Sequence, residues 1–279
     1  MRNFGENKLL YITGILVIII FIAPKIVIFN ILRFYQKSNP KNSLIPPFWI
    51  NGGDFRYPLG TDGLGRDLLS RLIYGLRASV FVGIASVGFA IIIGATVGLI
   101  AGYFGGLVDT ILMRLVEIQL AFPIIVLAVI ILTVVRPSLY ILIVVFGLSL
   151  WPIYARVARL WTMIEKQSYY IDAAKLMGAS TYRIIFKYFL KMLGPLILEV
   201  GVTDVGTVII YEAMLGFLGL GIQPPTPSWG NIIADGKIYI NNAIWISTMP
   251  GILIAITVVI FTLFSDALKR ETTITRVRM

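Results

Sequence analysis

The side chains available for chemistry in these 279 residues are 14 acids, 24 lysines and arginines, and the hydroxyls; there is no cysteine and no histidine. That inventory excludes disulfides, thiolate or imidazole metal sites, Cys or Ser–His nucleophile pairs and a His-Glu-x-x-His zinc site. No Gly-x-x-x-x-Gly-Lys-Ser/Thr is present either, so no loop of this chain cradles nucleotide phosphates. What remains is a handful of charges inside apolar stretches, where each is costly unless it is paired or faces water. Glu199, Asp204 and Glu212 fall in one such stretch. At about 100° per residue they spread over more than one helix face and cannot all line one pore. Glu199 and Asp204 are expected to line a water-accessible path or to pair with arginines of a partner. Arg114 and Glu117, three apart on a helix, are expected to neutralise each other, and Arg156 and Arg159, on a shared face, to mark the lipid boundary.

The elements that position these charges are membrane helices. The chain is 58% hydrophobic and 14% charged, with a mean hydropathy of +0.88. A net charge of +10 could suit nucleic acid, but in so apolar a chain the basic residues belong at membrane borders facing anionic lipid. Six apolar stretches of roughly the 20 residues a span needs run over 9–29, 77–101, 107–135, 138–160, 193–221 and 246–267. The first resembles a signal peptide, but it is span-length and no small-residue cleavage site follows, so it reads as a retained helix. The expected fold is an all-α integral membrane protein of six helices with both termini on the cytoplasmic side. Gly102 to Gly106, Arg136-Pro137-Ser138 and Gln223-Pro224-Pro225-Thr226-Pro227 mark the breaks. With the 152–192 loop inside, fourteen of the 24 lysines and arginines lie inside and ten outside, a weak bias, because the long first outer loop carries seven.

The expected organisation is therefore an N-terminal helix and outer loop (1–76), a five-helix core (77–267) containing a cytoplasmic loop (163–192), and a tail (268–279). The outer segment Asn30 to Arg71 has too little apolar content for a core of its own. Four glycines, Gly83, Gly88, Gly94 and Gly98, are expected to permit close helix contact. Trp229 and Trp245 suit either an interfacial anchor or an outer gate, and the sequence does not choose.

Within the cytoplasmic loop, Ile171-Asp172-Ala173-Ala174-Lys175-Leu176-Met177-Gly178-Ala179-Ser180 reads as a short helix with both ends specified. Asp172 favours its N-terminus, Gly178 suits the left-handed position past its C-terminus, and Ser180 can cap a second helix over 181–191. Two short helices joined at a glycine form a rigid knuckle; the alternative is an amphipathic loop lying on lipid.

Asp172-Ala173-Ala174, three residues, then Gly178 resembles the EAA loop of ABC-importer permeases, the coupling helix that docks on the ATPase. Two longer blocks, Leu59 to Arg77 (LGTDGLGRDLLSRLIYGLR) and Glu212 to Gly230 (EAMLGFLGLGIQPPTPSWG), are similar to the C-type permease of dipeptide, oligopeptide and nickel importers. Asp172 stands where that family has Glu, Lys191 where a proline follows the second helix, and Asp266-Ala267-Leu268 keeps part of the usual ending. The resemblance implies the type I importer permease fold in a prokaryotic cell membrane. It implies a homologous B-type permease as partner, two ATPase subunits that bind ATP and Mg²⁺, and an extracellular substrate-binding protein. It further implies no cofactor or catalysis on this chain, and di- or oligopeptide cargo, with nickel or a metal chelate as runner-up. A secondary transporter would need matched broken helices or inverted repeats, which are not evident.

Overall fold

The computed structural model describes residues 10–18 and 38–277. Residues 10–18 are helical; the rest of the 9–29 span lies outside the described residues. Eight helices follow: α1 Leu68–Phe104, α2 Gly106–Leu120, α3 Ile124–Val134, α4 Leu139–Glu165, α5 Tyr169–Leu176, α6 Thr181–Phe217, α7 Trp229–Gly236 and α8 Trp245–Val277. No strand is present among the described residues. Four helices, α1, α4, α6 and α8, are long and apolar enough to cross a membrane, and α2 with α3 makes a fifth span if the bent pair is counted as one.

Helix α1 begins at Leu68, not at 77, because Asp67 caps it: the carboxylate accepts from Ser70 N at 2.8 Å. At 1.5 Å per residue its 37 residues extend about 55 Å, well beyond a hydrocarbon core of about 30 Å. The helix is therefore longer than a span needs, and at least one end projects from the bilayer.

The expected continuous span over 107–135 is instead two helices bent by 80°. Pro123, at the junction, cannot donate a backbone hydrogen bond and its ring disfavours continuation of the turn. The bent pair is fastened to α4 through a second proline. Pro152, inside α4, leaves Leu148 O without its helical donor. Gln119 of α2 supplies the missing N–H to that carbonyl, and its Oε1 accepts from Trp151 Nε1 at 2.8 Å.

The core of the bundle is α1 against α4, running side by side in the same direction. Glycine makes the approach possible. A Cβ on Gly94 would lie 2.4 Å from Trp151 O, and one on Gly98 2.3 Å from Ala155 O. Gly83 faces Val205 of α6 at 3.1 Å, whereas Gly88 has nothing within 4 Å. Close contact thus explains three of the four glycines and not Gly88.

Candidate functional site

Two ends of the bundle carry organised polar structure. At one end, α4 hands the chain to α6 through α5. Ser168 sits at the N-cap of α5, and Asp172, a turn further in, pairs with Lys175 (Oδ1–Nζ 3.2 Å) and makes no cap. That corrects the capping expected of Asp172, which nonetheless lies in the first turn, where its charge suits the helix dipole. Both side chains are exposed, so the pair is worth at most about 1 kcal/mol. Gly178 adopts φ +78° with nothing within 4 Å of where a Cβ would stand. The left-handed backbone, not crowding, is what requires glycine there. Ser180 Oγ then accepts from Arg183 N at 3.3 Å and caps α6.

The expected second short helix, 181–191, is not separate. It is the first part of α6, which continues to Phe217 through a π-helical turn at Ile184–Phe189. The widened turn lets Ile184, Ile185 and Phe189 all point inward, and Phe189 meets the rings of Trp161 (5.7 Å, 89°) and Tyr103 (6.1 Å) edge-on. Lys166 Nζ donates to Tyr103 O, while Ile171 and Ala174 bury the inner side of α5. On this anchored base the loop lifts four large apolar side chains clear of the protein: Tyr169 (93% exposed), Leu176 (90%), Met177 (81%) and Tyr182 (73%). Such a crest is too apolar for free solvent and has the make-up of a docking surface.

At the opposite end, the 38–67 segment folds onto the bundle through a buried charge network that the sequence reading missed. Asp62 Oδ2 accepts from Arg66 Nε (2.7 Å) and Arg71 Nη1 (2.6 Å), while Asp235 of α7 accepts from Arg71 Nη2 (2.9 Å) and Arg66 Nη2 (3.1 Å). Asp62 and Arg71 are buried. Trp229 Nε1 donates to Leu72 O at 3.0 Å, and Trp245 Nε1 reaches Thr61 O at 3.4 Å. Both indoles are buried, so neither is an interfacial anchor. They are core, because each N–H finds a carbonyl there. Helices α6 and α7 cross at glycines: a Cβ on Gly216 would meet Gly230 Cα at 2.7 Å.

Between the ends, the three acids of α6 go separate ways. Asp204 accepts from Tyr154 Oη at 2.6 Å. Glu199 lies 4.0 Å from Lys269 Nζ, and its backbone carbonyl accepts from Ser265 Oγ. Glu212 is fully buried and accepts from Ser79 Oγ at 2.8 Å. Arg114 and Glu117 form the expected pair at 3.1 Å, and Arg159 turns inward to Asp109. Asp109 lies 50 positions from Arg159, and no local spacing signals it.

Residues 94–273, from the last third of α1 to the last turns of α8, match the family described as the binding-protein-dependent transport system inner membrane component. This chain belongs to that family. The permease is 40% identical over 227 residues (81% of this chain, 75% of the relative) to the di/tripeptide transport system permease protein DppC of Pseudomonas aeruginosa. It is 38% identical over 269 residues (96% and 90%) to the dipeptide transport system permease protein DppC of Haemophilus influenzae. Among solved structures it resembles the inward-facing MetNI methionine ABC transporter, with a TM-score of 0.60 and 22% identity over 73% of this chain and 97% of that one. That likeness concerns the fold alone. The permease is a multi-pass membrane protein, and its α4–α6 loop, with the apolar crest, lies within the matched residues.

Proposed function

We propose that the permease forms half of the translocation path of an ATP-driven importer for di- or oligopeptides, paired with a homologous B-type subunit. The observation that carries this is the crest of Tyr169, Leu176, Met177 and Tyr182 on its buried, aromatic-anchored base. A loop built so stiffly, on a chain with no phosphate-binding loop of its own, suits coupling to a separate ATPase that binds ATP and Mg²⁺. Ile171 to Ser180 are its coupling residues. This end is cytoplasmic, as are both termini, and the 38–67 segment faces the extracellular substrate-binding protein. Closure of two ATPase subunits would drive the crest and tilt α4 and α6 as levers, a hinge-like change between inward-open and outward-open states. Peptide cargo is supported by the relatives, which are di- and tripeptide permeases by name. Glu199 and Asp204 are taken as path-lining.

The test is ATP-dependent uptake by the whole complex in proteoliposomes, offered a short-peptide mixture or nickel, with Gly178→Pro beside the wild type. Peptide uptake that Gly178→Pro abolishes is expected. Nickel uptake would keep the architecture and overturn the cargo, and uptake indifferent to Gly178→Pro would overturn the coupling role. Glu199→Gln and Asp204→Asn are expected to slow uptake in assembled complexes; full uptake in both removes them from the path.

A further inference from the structure

A cavity of about 350 Å³ opens at the outer end of the bundle, between the first turns of α1, the start of α4 and the proline segment that follows α6. Tyr74, Arg77 and Phe81, at i, i+3 and i+7, put one face of α1 into its wall, opposite Tyr140, Thr226 and Pro227. Arg66 and Arg71, just upstream, are engaged by Asp62 and Asp235. Arg77 is different: it is exposed, and among the described residues it has no carboxylate partner. No acid lines the cavity. An exposed guanidinium in a walled recess, with no carboxylate of its own, is suited to face water or an anion.

We propose that this cavity is an outer-vestibule subsite for the α-carboxylate end of a short peptide, with Arg77 as its anion-binding group. The inference rests on the peptide-importer reading. Guanidinium is the side chain whose planar fork matches a carboxylate in two parallel hydrogen bonds. The phenol of Tyr140 and the Thr226 hydroxyl supply further donors, and the tyrosine and Phe81 rings give the terminal side chain an apolar wall. With Arg77 and no acid in the lining, a peptide's ammonium end meets a like charge and no carboxylate here, so the carboxyl end enters. The volume is at the small end of ligand pockets, which run from about 300 to 1,000 Å³, and this suits two or three residues over longer chains.

The experiment is equilibrium binding of radiolabelled alanyl-phenylalanine and of its C-terminal amide to the complete membrane complex, without binding protein, in nanodiscs of neutral phosphatidylcholine. The free acid should bind about ten-fold or more tighter than the amide. Arg77→Gln should erase that difference, Arg77→Lys should keep part of it, and Tyr140→Phe should weaken the acid by a few-fold. Equal affinity for acid and amide in the wild type, or an acid preference that survives Arg77→Gln, overturns the proposal. A third arm adds phosphatidylglycerol: if that lipid is retained through Arg77 and dipeptide does not displace it, the recess is a lipid-headgroup site and the proposal falls. ATP-dependent uptake with the binding protein separates the two levels. A wild-type complex that imports no peptide defeats the importer reading itself, whereas peptide import with Arg77-independent binding defeats only the subsite.

Discussion

Arg71 is the residue on which the 38–67 end of the bundle depends most. Its two Nη atoms reach carboxylates 9 and 164 positions away, one buried and one half-exposed. Removing one member of a buried pair costs about 3–5 kcal/mol where the other charge is left uncompensated, but here Arg66 still holds both Asp62 and Asp235. Arg71→Met is therefore expected to lower the thermal stability of the detergent-solubilised complex by less than that, and the double variant with Arg66→Met to lower it sharply and expose the 38–67 segment to protease. Asp67, at the head of α1, behaves oppositely. Burial raises its carboxyl above the ordinary value, against the pull of Ser70, so losing the proton is harder in the folded state than in the unfolded one. Asp67→Asn keeps the cap acceptor without the charge and should unfold within a few degrees of wild type. Asp67→Ala loses the cap and about 1 kcal/mol. Because the folded value is the raised one, this group's penalty on stability appears as pH rises through that value and is absent below the unfolded value of about 3.8.

At the scale of elements, proline and glycine decide how helices meet. Pro152 strips a donor from α4 and Gln119 of α2 replaces it. Gln119→Leu should strand both Leu148 O and the Trp151 N–H, costing about 1–3 kcal/mol and loosening α2 from α4. Hydrogen exchange in 148–152 would report it. Glycine acts by absence: even Gly98→Ala places a methyl against Ala155 O and should push α1 from α4, whereas Gly88→Ala, in open space, should be neutral or slightly stabilising. Comparable unfolding of the two variants would refute the close-packing role. At the α4–α6 loop, Leu176→Asp and Met177→Asp leave the buried base untouched. They should reduce ATPase binding in pull-down with little change in permease folding.

For the whole molecule the absence of cysteine is an experimental advantage, since each introduced thiol is unique in this chain. Phe55 and Leu176 are both exposed, at opposite ends of the bundle. In intact cells a membrane-impermeant maleimide should label Phe55→Cys at once and Leu176→Cys only after permeabilisation. The reverse pattern would invert the proposed orientation. The positive charges alone decide this weakly, because seven basic residues lie in the single long segment proposed to be outside, where charge is a poor guide to translocation.

Membrane residence, the positions of the five long apolar stretches within the described residues, the Gly178 turn with the Ser180 cap, and the Arg114–Glu117 pair were all legible in the sequence. Each depends on composition or on residues within a turn or two of one another, where hydropathy and backbone preference act without help. The bend at Pro123 has a local cause, a proline inside an apolar stretch, that the sequence reading passed over. Tertiary structure decided the rest: it ran the expected second loop helix into α6, buried Trp229 and Trp245, and joined Arg71 to Asp235 and Arg159 to Asp109. The indoles and the two ion pairs find partners 50 to 184 positions away. In an apolar interior a polar group takes whichever partner the packing brings within reach, and sequence distance says nothing about which that will be.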